Sequence, residues 1–91
     1  MFLVAYDIAD DKVRTKFSKF LSKFGYRLQY SIFEIRNSDR VLDNIRTEIN
    51  NKFLKLFKQS DSVIIFDVPE KSIVETYGYA RNEKDDFFIV F

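Results

Sequence analysis

The composition of this 91-residue chain limits both its size and its chemistry. A chain of this length forms one domain with a modest core, and its 11 Phe and 5 Tyr exceed what such a core encloses, so we expect a homodimer. The absence of Cys and His excludes disulfides, thiolate zinc sites and histidine general bases. No apolar run is long enough for a membrane and no signal-peptide pattern is visible, so the sequence predicts a cytoplasmic protein without membrane contact.

Charge is distributed unevenly along the chain. The net charge is +1, yet residues 12–58 carry twelve Lys or Arg against four Asp or Glu, and residues 59–91 carry three bases against seven acids. A basic middle in a nearly neutral chain indicates an anionic partner at one surface.

The first predicted strand is the apolar run Phe2-Leu3-Val4-Ala5-Tyr6, which ends at Asp7 and Ile8. Because no polar residue alternates with the apolar ones, we expect this strand to be central in its sheet and covered on both faces. Asp7 then lies between a strand and a helix start, where functional groups are often presented, and it is our candidate catalytic carboxylate. A role as a turn residue or a helix cap is the alternative.

A basic amphipathic helix is predicted over residues 10–24. Its apolar face comprises Val13, Phe17, Phe20, Leu21 and Phe24. Its opposite face carries Lys12, Lys16, Lys19 and Lys23, with Arg14 beside them. Asp10 or Asp11 should cap its start, and Gly25 should end it. No acid among residues 12–24 neutralises these cations, so the face is suited to following phosphates, with an ordinary solvated face as the alternative.

A turn and a second helix are predicted next. In residues 26–36 the apolar alternation changes phase near Gln29–Ser31, which predicts two short strands with a tight turn or one bent strand. Residues 37–39 are a capping cluster that opens a helix to about Phe57. The apolar face of that helix comprises Leu42, Ile45, Ile49, Phe53, Leu56 and Phe57.

The last predicted elements complete a single domain over residues 1–91. Residues 62–68 form an apolar strand at the end of a core that spans residues 1–68. Residues 69–86 form a linker, and Phe87–Phe91 form a strand that we expect to pair with the partner chain and exchange between protomers. The order is that of an α+β, ferredoxin-like βαββαβ domain with an extra C-terminal strand.

Nearly the whole chain resembles one known family. The stretches that carry the resemblance are Val4-Ala5-Tyr6-Asp7-Ile8, Asp11-Lys12-Val13-Arg14, and Arg27-Leu28-Gln29-Tyr30-Ser31-Ile32-Phe33-Glu34 after Gly25. They resemble the small CRISPR-associated Cas-two (Cas2) proteins. Members of that family are ferredoxin-like homodimers that act as metal-dependent nucleases on RNA or DNA. One such dimer also bridges two dimers of the Cas-one (Cas1) integrase along the duplex to be inserted.

The resemblance implies roles for individual residues. Carried over by position, the family's functional residues fall on Tyr6, Asp7, Arg14, Arg27, Ser31 and Phe33. The acidic one is implied to be catalytic and metal-binding, the arginines to bind nucleic acid, and the other three to support them. With the helix face, the nucleic-acid-binding set is Lys12, Arg14, Lys16, Lys19, Lys23 and Arg27. Lys16 and Ile35 depart from the family pattern, and Lys16 loses the bidentate fork of the Arg in some relatives.

A metal site on this pattern requires two chains. Mg²⁺ (or Mn²⁺) binds proteins through one or two carboxylates plus waters and substrate phosphate, so we expect it between two copies of Asp7 across the dimer axis. Asp10 and Asp11 lie nearby, but helix capping explains them better.

The resemblance therefore implies a nucleic-acid-binding homodimer that scaffolds the Cas1 integrase during spacer acquisition, with Mg²⁺-dependent endonuclease activity as a second role. Duplex DNA is the expected partner, and single-stranded RNA is a further candidate. One alternative is a toxin-type ribonuclease related to virulence-associated protein D, which shares the fold and an early strand ending in Asp. Another is a ferredoxin-like regulatory dimer that binds a small ligand and has no affinity for duplexes.

Overall fold

The computed structural model describes residues 1–75, 77 and 78 of the chain. Its regular elements are β1 (Phe2–Asp7), α1 (Asp11–Ser22), β2 (Gly25–Gln29), β3 (Ile32–Ile35), α2 (Asp39–Glu48) and β4 (Ser62–Asp67). A π-helical turn (Ile49–Phe53) and a 3₁₀ turn (Leu54–Leu56) connect α2 to β4. The predicted α+β, βαββαβ architecture is confirmed. The predicted C-terminal strand, Phe87–Phe91, and residues 79–86 of the predicted linker lie outside the described residues.

The four strands form one antiparallel sheet in the order β2-β3-β1-β4. β1 is central, as the sequence predicted, and β4 lies at an edge. β2 and β3 are separate strands joined by a turn at Tyr30 and Ser31, so of the two predicted arrangements the one with two short strands is confirmed. In the pairing of β1 with β4, Asp7 lies opposite Ser62.

The core lies between the helices and one face of the sheet. β1 contributes Phe2, Val4 and Tyr6 to it, and the helices and the π-helical turn contribute Phe17, Leu21, Leu42, Ile45 and Phe53. The opposite side of the sheet, which we call the open face, carries Leu3, Ala5, Ile32, Ile64 and Phe66. Leu3 and Ala5 are only half-buried there. The prediction that β1 is covered on both faces is therefore wrong for the single chain, because the helices pack on one side of the sheet.

Helix α1 begins as predicted and ends early. The Asp10 carboxylate accepts hydrogen bonds from the amides of Lys12 at 2.9 Å and Val13 at 3.0 Å, so Asp10 is the N-cap. The helix ends at Ser22, and Gly25 begins β2 instead of capping the helix. A Cβ at Gly25 would lie 1.9 Å from the Glu34 carbonyl oxygen, so glycine is needed there for the close approach of β2 and β3.

Helix α2 is shorter than predicted. Ser38 caps it by accepting a hydrogen bond from the Val41 amide at 3.3 Å, but the α-helical pattern stops at Glu48. The π-helical turn that follows still directs Phe53 into the core, whereas Leu56 is 41% exposed and does not belong to the apolar face. Among the described residues there is no helix with the length and apolar character that crossing a bilayer requires.

Candidate carboxylate site and nucleic-acid interface

Asp7 is exposed at the end of β1. Side chains alternate along a strand, so Asp7 shares the open face with Leu3 and Ala5, while Tyr6 points into the core. A shallow depression of about 150 Å³ surrounds it, lined by Ala5, Tyr6, Asp7, Ser62 and Ile64. The candidate catalytic carboxylate is therefore held by a paired central strand and is open to solvent.

The other acids near this strand end are engaged elsewhere. Asp10 caps α1, and the amides of Val13 and Lys12 hold the pKa of its carboxyl below the ordinary value. Asp11 forms an ion pair with Arg14. Within residues 1–75, 77 and 78, no three acidic side chains come together in a group that could hold a metal ion. In the described part of the chain, Asp10 and Asp11 are thus both engaged, and the predicted capping role of Asp10 is confirmed.

Asp61, which the sequence analysis did not single out, bonds to the loop that follows Asp7. It lies just before β4, and its carboxylate oxygens accept hydrogen bonds from the Ala9 amide at 2.9 Å and the Lys58 amide at 2.8 Å. These two donors, that of Lys58 first, hold the pKa of Asp61 below its ordinary value. A turn-forming Asp before a strand was visible in the sequence, but its bond to a loop 52 residues away was not.

The two predicted arginines meet at one cavity between α1 and the β2–β3 hairpin. The cavity has a volume of about 310 Å³ and is lined by Tyr6, Arg14, Thr15, Ser18, Arg27 and Tyr30. Arg14 donates hydrogen bonds to the Ile8 carbonyl at 3.0 Å and the Ala9 carbonyl at 3.4 Å, besides its contact with Asp11. Arg14 therefore braces the loop that follows Asp7 while it also lines the cavity.

The predicted supporting residues belong mostly to the core. Tyr6 and Phe33 are buried, and their rings stack with centroids 6.3 Å apart. Burial raises the pKa of the Tyr6 hydroxyl, and the nearby Arg27 offsets part of that rise. Ser31 contributes through its main chain, because its carbonyl accepts a hydrogen bond from the Tyr6 amide at 3.0 Å.

Three lysines of α1 and its C-cap, Lys23, form an exposed row. Lys12, Lys16, Lys19 and Lys23 are all exposed, whereas Phe17 and Leu21 on the other side of the helix are fully buried. Since α1 packs against the side of the sheet opposite the open face, the lysine row and Asp7 lie on different sides of the sheet. The described structure does not bring these two predicted features onto one surface.

The fold and these positions can be compared with known proteins. The sequence model of the family described as CRISPR associated protein Cas2 matches residues 1–76. The chain belongs to the Cas2 family. The resemblance found in the sequence is thereby confirmed.

Individual Cas2 proteins are similar over most of the chain. The chain is 29% identical over 90 residues, 93% of each protein, to a Thermus thermophilus protein named CRISPR-associated endoribonuclease Cas2. A Mycobacterium tuberculosis protein of the same name is 30% identical over 89 residues, 98% of this chain and 75% of its own length. The crystal structure of Streptococcus pyogenes Cas2 superposes with a TM-score of 0.68 at 22% identity, covering 85% of this chain and 98% of that one, and supports the fold.

Proposed function

We propose that this Cas2 chain is a nucleic-acid-binding homodimer that acts in CRISPR spacer acquisition in the cytoplasm and carries a metal-dependent endonuclease site built from two copies of Asp7. The observation that carries this proposal is the position of Asp7 at the rim of an apolar sheet face. It links the carboxylate to the surface through which a second chain would bind. The names of the endoribonuclease relatives from Thermus thermophilus and Mycobacterium tuberculosis support the choice of reaction.

The open face has the character of an interface. Ile64 and Phe66 on the edge strand β4 are 52% and 47% exposed, and they lie opposite Ala5 and Leu3 of β1 in the strand register. Contiguous exposed apolar side chains mark interaction surfaces in soluble proteins. A two-fold axis that passes through this face near Asp7 would cover these side chains and bring the two Asp7 residues towards each other.

Two carboxylates are a suitable donor set for Mg²⁺ or Mn²⁺. Mg²⁺ is commonly bound by one or two protein carboxylates, with waters and substrate phosphate completing its shell. Asp7 of each protomer would hold the ion, while Asp10 and Asp61 are engaged with main-chain amides and do not compete for it. A bound metal at this place supplies an activated water and charge neutralisation on the phosphodiester.

The lysine row supports binding of nucleic acid. Four exposed cations on one helix face can contact successive phosphates, and they lie away from Asp7. Binding and cleavage should therefore separate under mutation. The row is also the surface on which a duplex could lie while the dimer bridges the Cas1 integrase.

The deciding experiment is a Mg²⁺ titration of cleavage by wild-type protein and Asp7→Asn, on duplex DNA and on single-stranded RNA. The variant removes ligand charge with little change in volume, so cleavage should vanish while duplex affinity stays nearly unchanged. Asp67→Asn is the matched control, because Asp67 is an exposed carboxylate at the opposite end of the same pair of strands. Full cleavage by Asp7→Asn would place the chemistry elsewhere.

A mixing experiment tests whether the two carboxylates share one site. Wild-type and Asp7→Asn chains are co-expressed in varied ratios, and all the dimers that form are purified together. If both copies of Asp7 are needed, cleavage falls as the square of the wild-type fraction. A linear fall would mean that each chain acts alone.

The scaffold role is tested separately from cleavage. Integration of a spacer duplex by the Cas1 integrase should depend on this chain and should survive Asp7→Asn. It should be lost in Phe66→Glu, because a charge on the open face opposes dimer formation, and sedimentation should show that variant as a monomer. A dimeric Phe66→Glu with normal integration would contradict the proposed interface.

A further inference from the structure

Asp61 joins two loops that come together beside Asp7. One carboxylate oxygen accepts from the Ala9 amide in the β1–α1 loop, and the other accepts from the Lys58 amide in the connection before β4. The Asp61 amide in turn donates to the Lys58 carbonyl at 3.0 Å, which closes the second loop into a turn. Both carboxylate oxygens are thus used by main-chain donors from segments far apart in sequence.

These contacts lie directly next to the candidate carboxylate. Ala9 is two residues after Asp7, and the residue after Asp61 is Ser62, which pairs with Asp7 across β1 and β4. Arg14 donates to the carbonyls of Ile8 and Ala9 in the same loop. The main chain that follows Asp7 is therefore held by Asp61 at an amide and by Arg14 at two carbonyls.

We infer that Asp61 is a positioning residue for Asp7: its carboxylate fixes the loop after Asp7 and the start of β4, and so sets where the Asp7 side chain lies in its depression. The inference rests on the proposed nuclease function and adds a residue to it. Asp61 acts through the amides of Ala9 and Lys58 and has no contact with substrate in this role. A displacement of about 1 Å at a reacting group can reduce a rate by about a hundredfold. Loss of the two hydrogen bonds to Asp61 should therefore lower the rate of cleavage.

The test compares Asp61→Asn and Asp61→Ala with wild type and with Asp67→Asn. Asparagine keeps the shape and one acceptor oxygen, but its NH₂ group opposes the second amide, whereas alanine removes both acceptors. We expect kcat to fall for Asp61→Asn and further for Asp61→Ala, up to about a hundredfold, with KM and duplex affinity unchanged. Hydrogen exchange at the Ala9 and Lys58 amides should accelerate in both variants and stay slow in Asp67→Asn.

The outcomes separate the inference from the proposal on which it rests. If Asp7→Asn loses cleavage but Asp61→Asn cleaves at the wild-type rate with both amides exchanging faster, the nuclease site stands and the positioning role is overturned. If KM rises while kcat holds, Asp61 serves substrate binding and the inference is also overturned. Retained cleavage by Asp7→Asn overturns both. Should Asp61→Ala fail to fold, Asp61→Asn carries the test alone, with its melting temperature as the check on folding.

Discussion

The guanidinium carbon of Arg27 lies 5.2 Å from the centre of the Phe33 ring, and that ring is fully buried. A cation over the face of an aromatic ring is attracted to it, so Phe33 helps to orient Arg27 toward the cavity that Arg27 shares with Arg14. The supporting role that the family resemblance implies for Phe33 therefore has a physical basis: the ring is part of the core and holds Arg27. No base or sugar of a nucleic acid can stack on a ring without exposed surface.

Replacing Phe33 should act on stability first. Phe33→Ala leaves a cavity beside Tyr6 and should lower the free energy of unfolding by about 3–5 kcal/mol, measured by urea denaturation. Phe33→Leu refills most of the volume and should cost less while retaining duplex binding. A Phe33→Ala protein with wild-type stability and no affinity for duplex would show instead that Phe33 contacts the ligand.

Gly25→Ala should destabilise the hairpin. The added methyl would overlap the main chain of Glu34 and approach Ile35 Cα to 2.9 Å, and neither backbone atom can move without disturbing β3. We expect the free energy of unfolding, measured by thermal denaturation, to fall by about 1–3 kcal/mol or more. Gln29→Ala, at an exposed position of the same strand, is the control and should change stability by less than about 0.5 kcal/mol.

Neutralising the α1 row should change the salt dependence of binding. With Lys12, Lys16, Lys19 and Lys23 all changed to Gln, the slope of log K against log salt should fall by about one for each lost phosphate contact. The control changes Lys52, Lys55 and Lys58, which are exposed on the connection before β4, to Gln. An unchanged slope in the first variant would make the row an ordinary solvated face.

Asp10 should make the stability of the folded chain depend on pH in the acid range. Its pKa is lower in the folded chain than the ordinary 3.8, so its contribution to stability is complete above that ordinary value and is lost as pH falls through the folded pKa. Asp10→Ser keeps an N-cap acceptor but does not titrate. Melting temperatures should be similar at neutral pH, and from about pH 5 to pH 2 the wild type should fall more steeply than the variant. Asp61 is present in both proteins and contributes the same dependence on pH to each. Parallel curves of melting temperature against pH would therefore contradict the role of Asp10.

Features that depend on local pattern could be predicted from the sequence. The cap at Asp10 depends on a few adjacent residues, and the change of phase at Tyr30 and Ser31 fixes a turn. The apolar face of α1 is equally local, and Phe17 and Leu21 are both buried as predicted. The position of Asp7 at the end of the central strand followed from the apolar run before it.

Features that depend on distant partners could not be predicted. Gly25 follows a helix and so indicated a helix cap. Glycine is required there because the main chain of Glu34 in the neighbouring strand lies too close for a Cβ. The bond from Asp61 to Ala9 joins residues that no local spacing connects. The end of α2 was missed because Ile45, Ile49 and Phe53 fit an α-helical period, which hides the π-helical turn among them.

The π-helical turn at Ile49–Phe53 has a consequence for the length of the chain. Each hydrogen-bonded ring in a π-helix closes over one residue more than in an α-helix, so the segment holds a surplus residue within α2 and its continuation. Asn50 and Asn51 are exposed within it, and removing either one costs no core side chain. Relatives shorter by one residue here should have an uninterrupted second helix, and a correct alignment with this chain should place its gap at one of these two asparagines.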